Sequence, residues 1–461
     1  MIHRQPEVIL AKHETVRRLL GAAAVAAFAA ALLNANGREI GSYDTQATKY
    51  AALELAAHGT LTLDAVVASM PALAERHAFS PALDGRIRSS YPVLPSIVAA
   101  GPAWLLAATG ALDLEAAKAP AIVAKLTAST LVALAVACAF LIARARASAG
   151  VAALVALGYG FGTNAWLAGQ TLGGHDNVAF GLAAALVWLA APGPSPAGGR
   201  AWAAMAALAV AGAARPQVAP TVAVLALSML VRGRFRSWPA LSVLAVAAGT
   251  VVAFNVAWFG HPLGAVPRLE LLHPTVHATS GSLGSPWQGG LGLLFSPSRG
   301  LLIFSPIVLV CLAGLPAVAR DGWRGPLGWC LAAAVAQFAF YASYSVWWGG
   351  HAYGPRYLVD LLPPLVPIAA EGAALVAPRR LARAAAVCAL CWSVLLAATG
   401  AFCYPAERWN NTPEEVDVRH WRLWNWRDPQ FVRCWQTGPS PQNFSLFRAD
   451  AFQPSGQRAP R

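Results

Sequence analysis

The stretch that decides the fold class spans residues 17–50 and reads RRLLGAAAVAAFAAALLNANGREIGSYDTQATKY. Its first half, roughly Leu19–Leu33, is an apolar run that directly follows Arg17 and Arg18. An apolar run after basic residues predicts a membrane span whose N-terminal end faces the cytoplasm. The same start is typical of a signal peptide, but no clear small-x-small cleavage site precedes Asn36, so we retain the run as a span.

The second half of this stretch places an acid, Asp44, about ten residues beyond the predicted span. Carboxylates are costly in a bilayer, so an acid held at its edge suggests a function, such as a general base for a lipid-borne substrate. The alternative is a solvated loop acid that follows a helix end. Farther along, the apolar residues of Tyr50–Gly59 recur at helical spacing, which predicts a short surface helix that stops at Gly59.

Composition assigns the whole chain to the membrane class. Of its 461 residues, 57% are hydrophobic and 12% are charged, whereas a soluble domain carries about a quarter charged residues. The formal net charge is +13, but the basic residues lie in short clusters between apolar runs. This pattern indicates membrane orientation and excludes a nucleic-acid partner.

The basic clusters predict the topology when all of them are placed in the cytoplasm. The fold class is then an all-α polytopic membrane protein with about 11 transmembrane helices, a cytoplasmic N-terminus and an external C-terminus, in the inner (plasma) membrane. After the first span, the predicted spans are 118–143, 148–168, 177–191, 201–213, 216–231, 239–259, 299–318, 326–346, 358–376 and 383–404.

Two domains follow from this topology. The first is a transmembrane domain, residues 1–404, whose outer loop at 34–117 carries interfacial helices. The second is a tryptophan-rich tail on the outer face, residues 405–461, with a disordered end. The segment 92–110 does not fit the alternation of spans, and Pro92, Pro95 and Pro102 interrupt it. We interpret it as a helix along or dipping into the outer face; a true span with a weakly oriented Arg144 loop is the alternative.

Several motifs in the predicted outer loops, together with the early acid, resemble a known family. They are LELAAHGTL at 53–61, GRIRSSYPVLP at 85–95, ARP at 214–216, LFSPSRGLL at 294–302 and WWGGHAYGPRY at 347–357. In order and placement they resemble bacterial GT-C superfamily glycosyltransferases, in particular the protein O-mannosyltransferase and lipid A aminoarabinose transferase group (glycosyltransferase family 39). The resemblance covers most of the chain and rests on no single decisive motif.

The resemblance implies transfer of a sugar from a polyprenyl-phosphate donor to a lipid, glycan or protein acceptor on the outer face of the membrane. An inverting transfer needs a base, which by position is Asp44. The leaving lipid phosphate needs cations, and arginine makes paired hydrogen bonds with phosphate. The candidates for binding the donor phosphate are Arg86, Arg88, Arg215, Arg299 and Arg356, although each also fits an interfacial anchor.

Other predicted substrate-binding residues are Tyr91, His175, Asp176, His351 and Tyr357. Asp176 fits a helix N-cap equally well. Protein mannosyltransferases often carry two acids in the first outer loop, whereas here Glu54 follows Asp44 only ten residues later.

We predict no cofactor and no metal, because no carboxylate cluster is visible and His273-x-x-x-His277 is the only tight histidine spacing. Cys403 and Cys434 both lie outside in the predicted topology, where a disulfide is expected in an oxidising compartment. Two further function classes stay open: a transporter or flippase for lipid-linked sugars, and a non-catalytic glycan-assembly protein. A transporter more often shows paired inverted repeats, and none is visible.

Overall fold

The computed structural model describes residues 5–233, 236–267, 283–322, 324–403 and 407–448. In this part of the chain the protein is helical apart from one short β-hairpin, which confirms the all-α class. The predicted His273/His277 pair and the predicted disordered end, residues 449–461, lie outside the described residues.

The described helices follow the predicted apolar runs. In the N-terminal half they are α1 Gln5–Asn34, α2 Tyr43–His58, α3 Asp64–Ser69, α4 Leu94–Ala108, α5 Ala119–Arg144, α6 Ala149–Phe161, α7 Ala165–Ala168, α8 His175–Leu189, α9 Gly199–Ala214 and α10 Ala219–Arg232. In the C-terminal half they are α11 Ser242–Phe259, α12 Pro286–Phe295, α13 Leu301–Phe304, α14 Val310–Asp321, α15 Pro326–Ala342, α16 Leu362–Val376, α17 Arg380–Phe402, α18 Glu407–Asn411 and α19 Gln430–Thr437.

The membrane character of the bundle shows in the length and composition of its helices. Among the described residues, five helical segments are long and apolar enough to cross a bilayer: His13–Asn34, Ala119–Arg144, Trp238–Phe259, Arg356–Val376 and Arg380–Phe402. Six more apolar helices are shorter. The protein is therefore membrane-embedded, while the number of helices that cross the bilayer stays a prediction.

Two predicted spans are broken rather than continuous. Span 148–168 consists of α6 and α7, with residues 162–164 between them outside both helices. Span 299–318 is the other. It contains α13, a 3-10 turn at Pro306–Leu309 and then α14. Pro306 has no backbone N–H and cannot continue the hydrogen bonding of α13, which ends at Phe304.

The arginines predicted to face the cytoplasm gather at one end of the bundle. Arg144, which ends α5, pairs with Glu14 of α1 at 2.9 Å, and the neighbouring Arg146 pairs with Glu371 of α16 at 3.1 Å. Arg232, at the end of α10, donates to a carbonyl at the C-terminal end of α8. We call this the basic end; the predicted topology places these helix ends on the same side of the membrane.

A fully buried lysine ties helices together near the opposite end, which we call the loop end. Lys125 Nζ donates to Leu33 O at 2.9 Å, Asn36 Oδ1 at 2.8 Å and Gln170 Oε1 at 2.5 Å. A buried ammonium is stable only with such acceptors. The contacts fix the end of α1 and therefore the start of the loop that carries Asp44.

The first outer loop contains the predicted interfacial helices. The surface helix predicted at Tyr50–Gly59 begins earlier, at Tyr43, so that Asp44 lies in its first turn. Its predicted stop is confirmed, since Gly59 adopts a left-handed conformation with φ 69°. α2 packs on α4, which runs unbroken through Pro102.

Segment 92–110 therefore does form a helix. Its 15 residues extend about 22 Å, less than the hydrocarbon core of about 30 Å.

The described part of the tail folds back onto the loop end. Trp409 is fully buried, with the guanidinium of Arg422 at 4.4 Å from its ring and that of Arg299 at 5.5 Å. Cys403 and Cys434 are buried together, and each sulfur lies against the backbone carbonyl of the other residue. Both thiols are free, so the structure does not contain the disulfide that the sequence predicted.

Candidate functional site

Asp44 lies at the loop end with its carboxylate between two basic side chains. Oδ1 is 2.9 Å from His77 Nε2, and Oδ2 is 3.6 Å from Arg356 Nη1. The Tyr91 hydroxyl is 3.3 Å from the same His77 nitrogen. About a third of the Asp44 and Arg356 side chains is exposed. Asp44 is therefore neither a solvated loop acid nor a sealed core residue, and it remains accessible to a ligand.

The neighbours of Asp44 keep its carboxyl group ionised. Burial alone would raise its pKa, but the hydrogen bond with His77 and the charge of Arg356 hold the pKa well below its usual range. The pKa of Tyr91 is raised well above its usual value by burial and by the negative charge of Asp44. The site therefore combines an anionic carboxylate, a neutral phenol and a permanent cation.

A β-hairpin in the first outer loop brings His77 and Tyr91 to Asp44. Strands β1, Phe79–Pro81, and β2, Ile87–Ser89, pair antiparallel with Phe79 opposite Ser89. His77 and Tyr91 lie just beyond this last pair, at the open end of the hairpin. Ser90 Oγ donates to the His77 carbonyl at 2.7 Å and holds the two strand ends together.

Arg356 reaches the site from the loop before α16. Gly349, Gly350 and Gly354 in this loop have φ values of 73°, 65° and 63°, which favour glycine. Arg356 Nη2 donates to the Gly349 carbonyl at 2.8 Å. The hydrogen bond from Nη2 to Gly349 therefore fixes the guanidinium of Arg356 with Nη1 directed at Asp44.

A second polar group lies behind Arg356, and all of its members except the partly exposed Arg215 are buried among the helices. Its centre is Asp360, on the 3-10 helix Arg356–Leu361 that leads into α16. His175 Nδ1 lies 2.8 Å from Asp360 Oδ1, and the Tyr341 hydroxyl donates to Oδ2 at 2.5 Å. Arg215 Nε is 3.4 Å from the same Oδ2. We call these four residues the inner cluster.

Tyr357 connects the inner cluster with Arg356. Its ring stacks on Tyr341 with centroids 4.9 Å apart and planes at 15°.

Arg215 packs closely under the turn before α8, where a Cβ on Gly174 would lie 3.0 Å from the Arg215 side chain. Glycine is required at that turn for its positive φ of 81° as well.

The first turn of α8 contains buried polar atoms that have no hydrogen-bond partner in the protein. His175 Nε2, Asp176 Oδ1 and Asn177 Oδ1 are buried without a hydrogen-bond partner. Buried polar atoms normally have a partner, so this turn is a plausible place for bound water or ligand hydroxyls. Asp176 is not the N-cap, because Gly174 takes that position and Asp176 lies in the first turn.

Arg86 and Arg88 lie at the other end of the hairpin. Arg86 is exposed beside the turn. Arg88 Nη2 donates to Asp84 Oδ2 at 2.5 Å, and its guanidinium lies over Trp258 at 4.7 Å. The structure therefore does not place the Arg88 side chain with Asp44.

Arg299 is fully buried, and its guanidinium donors all contact protein acceptors. The acceptors are the carbonyl oxygens of Trp348, Ser298 and Gly350 and the side chains of Gln430 and Asn410. These bonds join the 294–302 motif to the tail, and they leave no donor for a phosphate. We therefore leave Arg299 out of the proposed site. His351 pairs with Glu415 and Asp417 of the tail and not with Asp44.

Three residues of this region were not among the predicted site residues: His77, Tyr341 and Asp360. Asp360 could have been found, because an acid inside a predicted membrane span is rarely without a function. Tyr341 and His77 carry no such signal, since their contacts depend on how α15 and the hairpin pack.

Comparison of the chain with family models, curated proteins and solved structures found no match.

Proposed function

We propose that the chain is a membrane glycosyltransferase that moves a sugar from a polyprenyl-phosphate donor to an acceptor hydroxyl on the outer face of the membrane. The observation that carries the proposal is the ionised Asp44 carboxylate held beside the Arg356 guanidinium at the loop end. An inverting transfer to a hydroxyl needs these two groups, a proton acceptor and a cation for the leaving phosphate.

In the proposed reaction the acceptor oxygen attacks the anomeric carbon while Asp44 takes the hydroxyl proton. The bond between the anomeric carbon and the phosphate oxygen breaks, and the electron pair leaves with the polyprenyl phosphate. The His77 hydrogen bond fixes the orientation of the carboxylate. Tyr91, protonated because its pKa is raised, is a donor for a sugar or acceptor oxygen.

Arg356 is the proposed partner of the donor phosphate. Its contact with Asp44 is longer, at 3.6 Å, than its hydrogen bond to Gly349, at 2.8 Å. A phosphate therefore replaces the Asp44 contact while the Gly349 bond keeps the guanidinium in place. Behind it, Arg215 and Tyr357 add a second cation and a phenol. The buried, unpartnered atoms His175 Nε2 and Asp176 Oδ1 are the proposed contacts for sugar hydroxyls.

Replacing Arg356 by Lys should lower donor affinity, because a lysine keeps the charge but loses the planar fork that binds phosphate through two parallel hydrogen bonds. We expect the dissociation constant of polyprenyl-phosphate sugar to rise about tenfold, equal to a loss of about 1.4 kcal/mol of binding free energy. Arg86→Lys is the matched control, since it lies at the hairpin turn. Lost affinity in Arg86→Lys or Arg88→Lys, with Arg356→Lys unchanged, would move the phosphate site to the hairpin.

The pH dependence of kcat/KM should reflect the lowered pKa of Asp44. A lowered pKa keeps the base ionised as pH falls, so the rate should lack a falling limb between about pH 7 and pH 5. His77→Ala removes the largest lowering influence on that pKa and should shift the acid limb to higher pH. A falling limb in that range in the wild type that disappears in His77→Ala would instead identify His77 as the base.

The proposal also requires the loop end to face outward across about 11 spans. Reporter fusions after Arg146 and Arg380 should therefore show a cytoplasmic location, because both residues belong to basic clusters. Fusions after His175 and Thr437 should show the outer side. A cytoplasmic signal at His175 would contradict the orientation and remove the outer-face reaction with it.

The cellular test compares the lipid-linked glycans of a strain lacking the chain with those of its parent. The deletion strain should accumulate one polyprenyl-phosphate sugar and lack one glycosylated product. The parent gene should restore the product, and the Asp44→Asn gene should not. Identical glycan profiles in all three strains would contradict the proposal.

The inner cluster supports a second candidate, a transporter for lipid-linked sugars. Buried ionisable groups within a helical bundle often mark proton or substrate pathways, and Asp360, His175 and Arg215 form such a group. A transporter leaves the bond between sugar and phosphate intact, whereas the proposed enzyme breaks it. Chemical analysis of the donor after incubation therefore separates the two functions.

A further inference from the structure

Three potential metal ligands from distant parts of the chain meet at the loop end. They are His351, from the glycine-rich loop, and Glu415 and Asp417, from the tail. His351 Nε2 is 3.1 Å from Asp417 Oδ2 and 3.4 Å from Glu415 Oε1, and the ligand atoms of all three lie within 4.8 Å of one another. The sequence did not predict this group, because His351 lies far from Glu415 and Asp417 in the chain and only folding brings the three together.

The tail is folded so that both carboxylates point the same way. Val416 between them is fully buried, and its N–H donates to the Asn410 carbonyl at 2.7 Å. The N–H groups of Val418 and Arg419 both donate to the Glu415 carbonyl, which closes a turn. Glu415 and Asp417 therefore flank the buried Val416, and both of their carboxylates contact His351.

Asp417 makes hydrogen bonds with neighbouring residues, as ligating carboxylates in metal sites commonly do. Trp348 Nε1 donates to Asp417 Oδ1 at 2.6 Å, which leaves Oδ2 directed at His351. His420 Nε2 contacts the Asp417 carbonyl at 2.9 Å, and its ring lies 4.3 Å from the Trp348 ring. Hydrogen bonds of this kind fix the free oxygen of a ligating carboxylate.

We propose that His351, Glu415 and Asp417 form a binding site for a divalent transition-metal ion, with Zn²⁺ as the best fit. Zinc binds imidazole nitrogen and carboxylate oxygen at about 2.0–2.2 Å, so two ligand atoms of one tetrahedral ion lie about 3.4 Å apart. The two separations from His351 Nε2, 3.1 and 3.4 Å, agree with this spacing. The partial exposure of all three residues leaves room for a water as the fourth ligand.

The proposed ion joins the tail to the loop that presents Arg356. The Gly349 carbonyl, two residues before His351, accepts the Arg356 hydrogen bond, and the Gly350 carbonyl accepts one from Arg299. A metal at His351 would therefore fix this loop from the tail side. Its role is structural, and no step of the proposed sugar transfer passes through it.

Metal analysis of the full-length protein tests this site without measuring transfer. Protein purified in detergent, stripped with a chelator and titrated with Zn²⁺ should bind about one equivalent more than the His351→Gln and Glu415→Gln variants. Zn²⁺ should also raise the thermal midpoint of the wild type and leave that of both variants unchanged. Wild type and variants should have similar midpoints in chelator, which shows that the variants fold.

The matched control is His58→Gln, which removes a histidine whose only carboxylate partner here is Glu54, at 3.1 Å. This variant should bind as much Zn²⁺ as the wild type. Equal Zn²⁺ binding by wild type, His351→Gln and Glu415→Gln would overturn the proposal and place any bound ion elsewhere. Absence of binding by the wild type would overturn it as well and leave a simple ion pair between His351 and the two acids.

Discussion

Asp44→Asn should lower the rate of sugar transfer by on the order of a hundred-fold to ten-thousand-fold, the usual effect of losing a general base. Asparagine has the same shape and can still accept the His77 hydrogen bond, but it cannot take a proton. Donor affinity should stay the same or increase, because the substitution frees Arg356 from its contact with the carboxylate. The measurement is single-turnover transfer beside equilibrium binding of polyprenyl-phosphate sugar.

Glu115→Gln is the control for this variant, since it removes another acid of the first outer loop, one that is exposed. Its transfer rate should equal that of the parent. Near-parental transfer by Asp44→Asn would contradict the role of Asp44. His77 would then be the next candidate base, ahead of Glu54, which pairs with His58.

Asp360→Asn should produce the largest loss of stability. The carboxylate is fully buried and balances the charge of Arg215 while it also contacts His175 and Tyr341. An amide keeps the shape but leaves the Arg215 cation buried without a counter-charge. Removing one partner of a buried ion pair typically costs about 3–5 kcal/mol. The thermal midpoint of the purified protein in detergent should fall accordingly.

Two comparisons make the Asp360 prediction specific. Asp84→Asn removes the partner of Arg88 in an exposed pair and should have little effect, because solvent screens such pairs. The double variant Asp360→Asn/Arg215→Met should regain part of the stability, since it removes the uncompensated charge together with its partner. Equal midpoints for Asp360→Asn and wild type would show that the inner cluster does not hold the helices together.

Much of the fold follows from local sequence signals. The apolar runs predicted where the helices lie, and the glycine after His58 predicted the end of α2. The positions of the basic clusters anticipated that Arg144, Arg146 and Arg232 lie at one end of the bundle. The sequence did not show that Pro306 breaks the predicted span 299–318, because a proline near a helix end is also compatible with a kink.

The site was predictable only in part, because its residues meet through packing of distant segments. Asp44, Tyr91 and Arg356 could be proposed from their loops, and the structure brings them together. Their common neighbour His77 depends on the register of a three-residue hairpin, which no strong pattern marks. Arg299 looked like the other loop arginines, yet two of its five neutral acceptors, Gln430 and Asn410, come from the tail, more than a hundred residues away.

The most direct test of the central claim is the fate of the donor in vesicles that contain the purified protein. Incubation with polyprenyl-phosphate sugar and an extract of envelope acceptors should release free polyprenyl phosphate, and the sugar should appear in the acceptor fraction. Vesicles with Asp44→Asn should release almost none. A donor that crosses the bilayer with its sugar still attached, at equal rates for wild type and Asp44→Asn, would contradict the enzyme and identify a transporter.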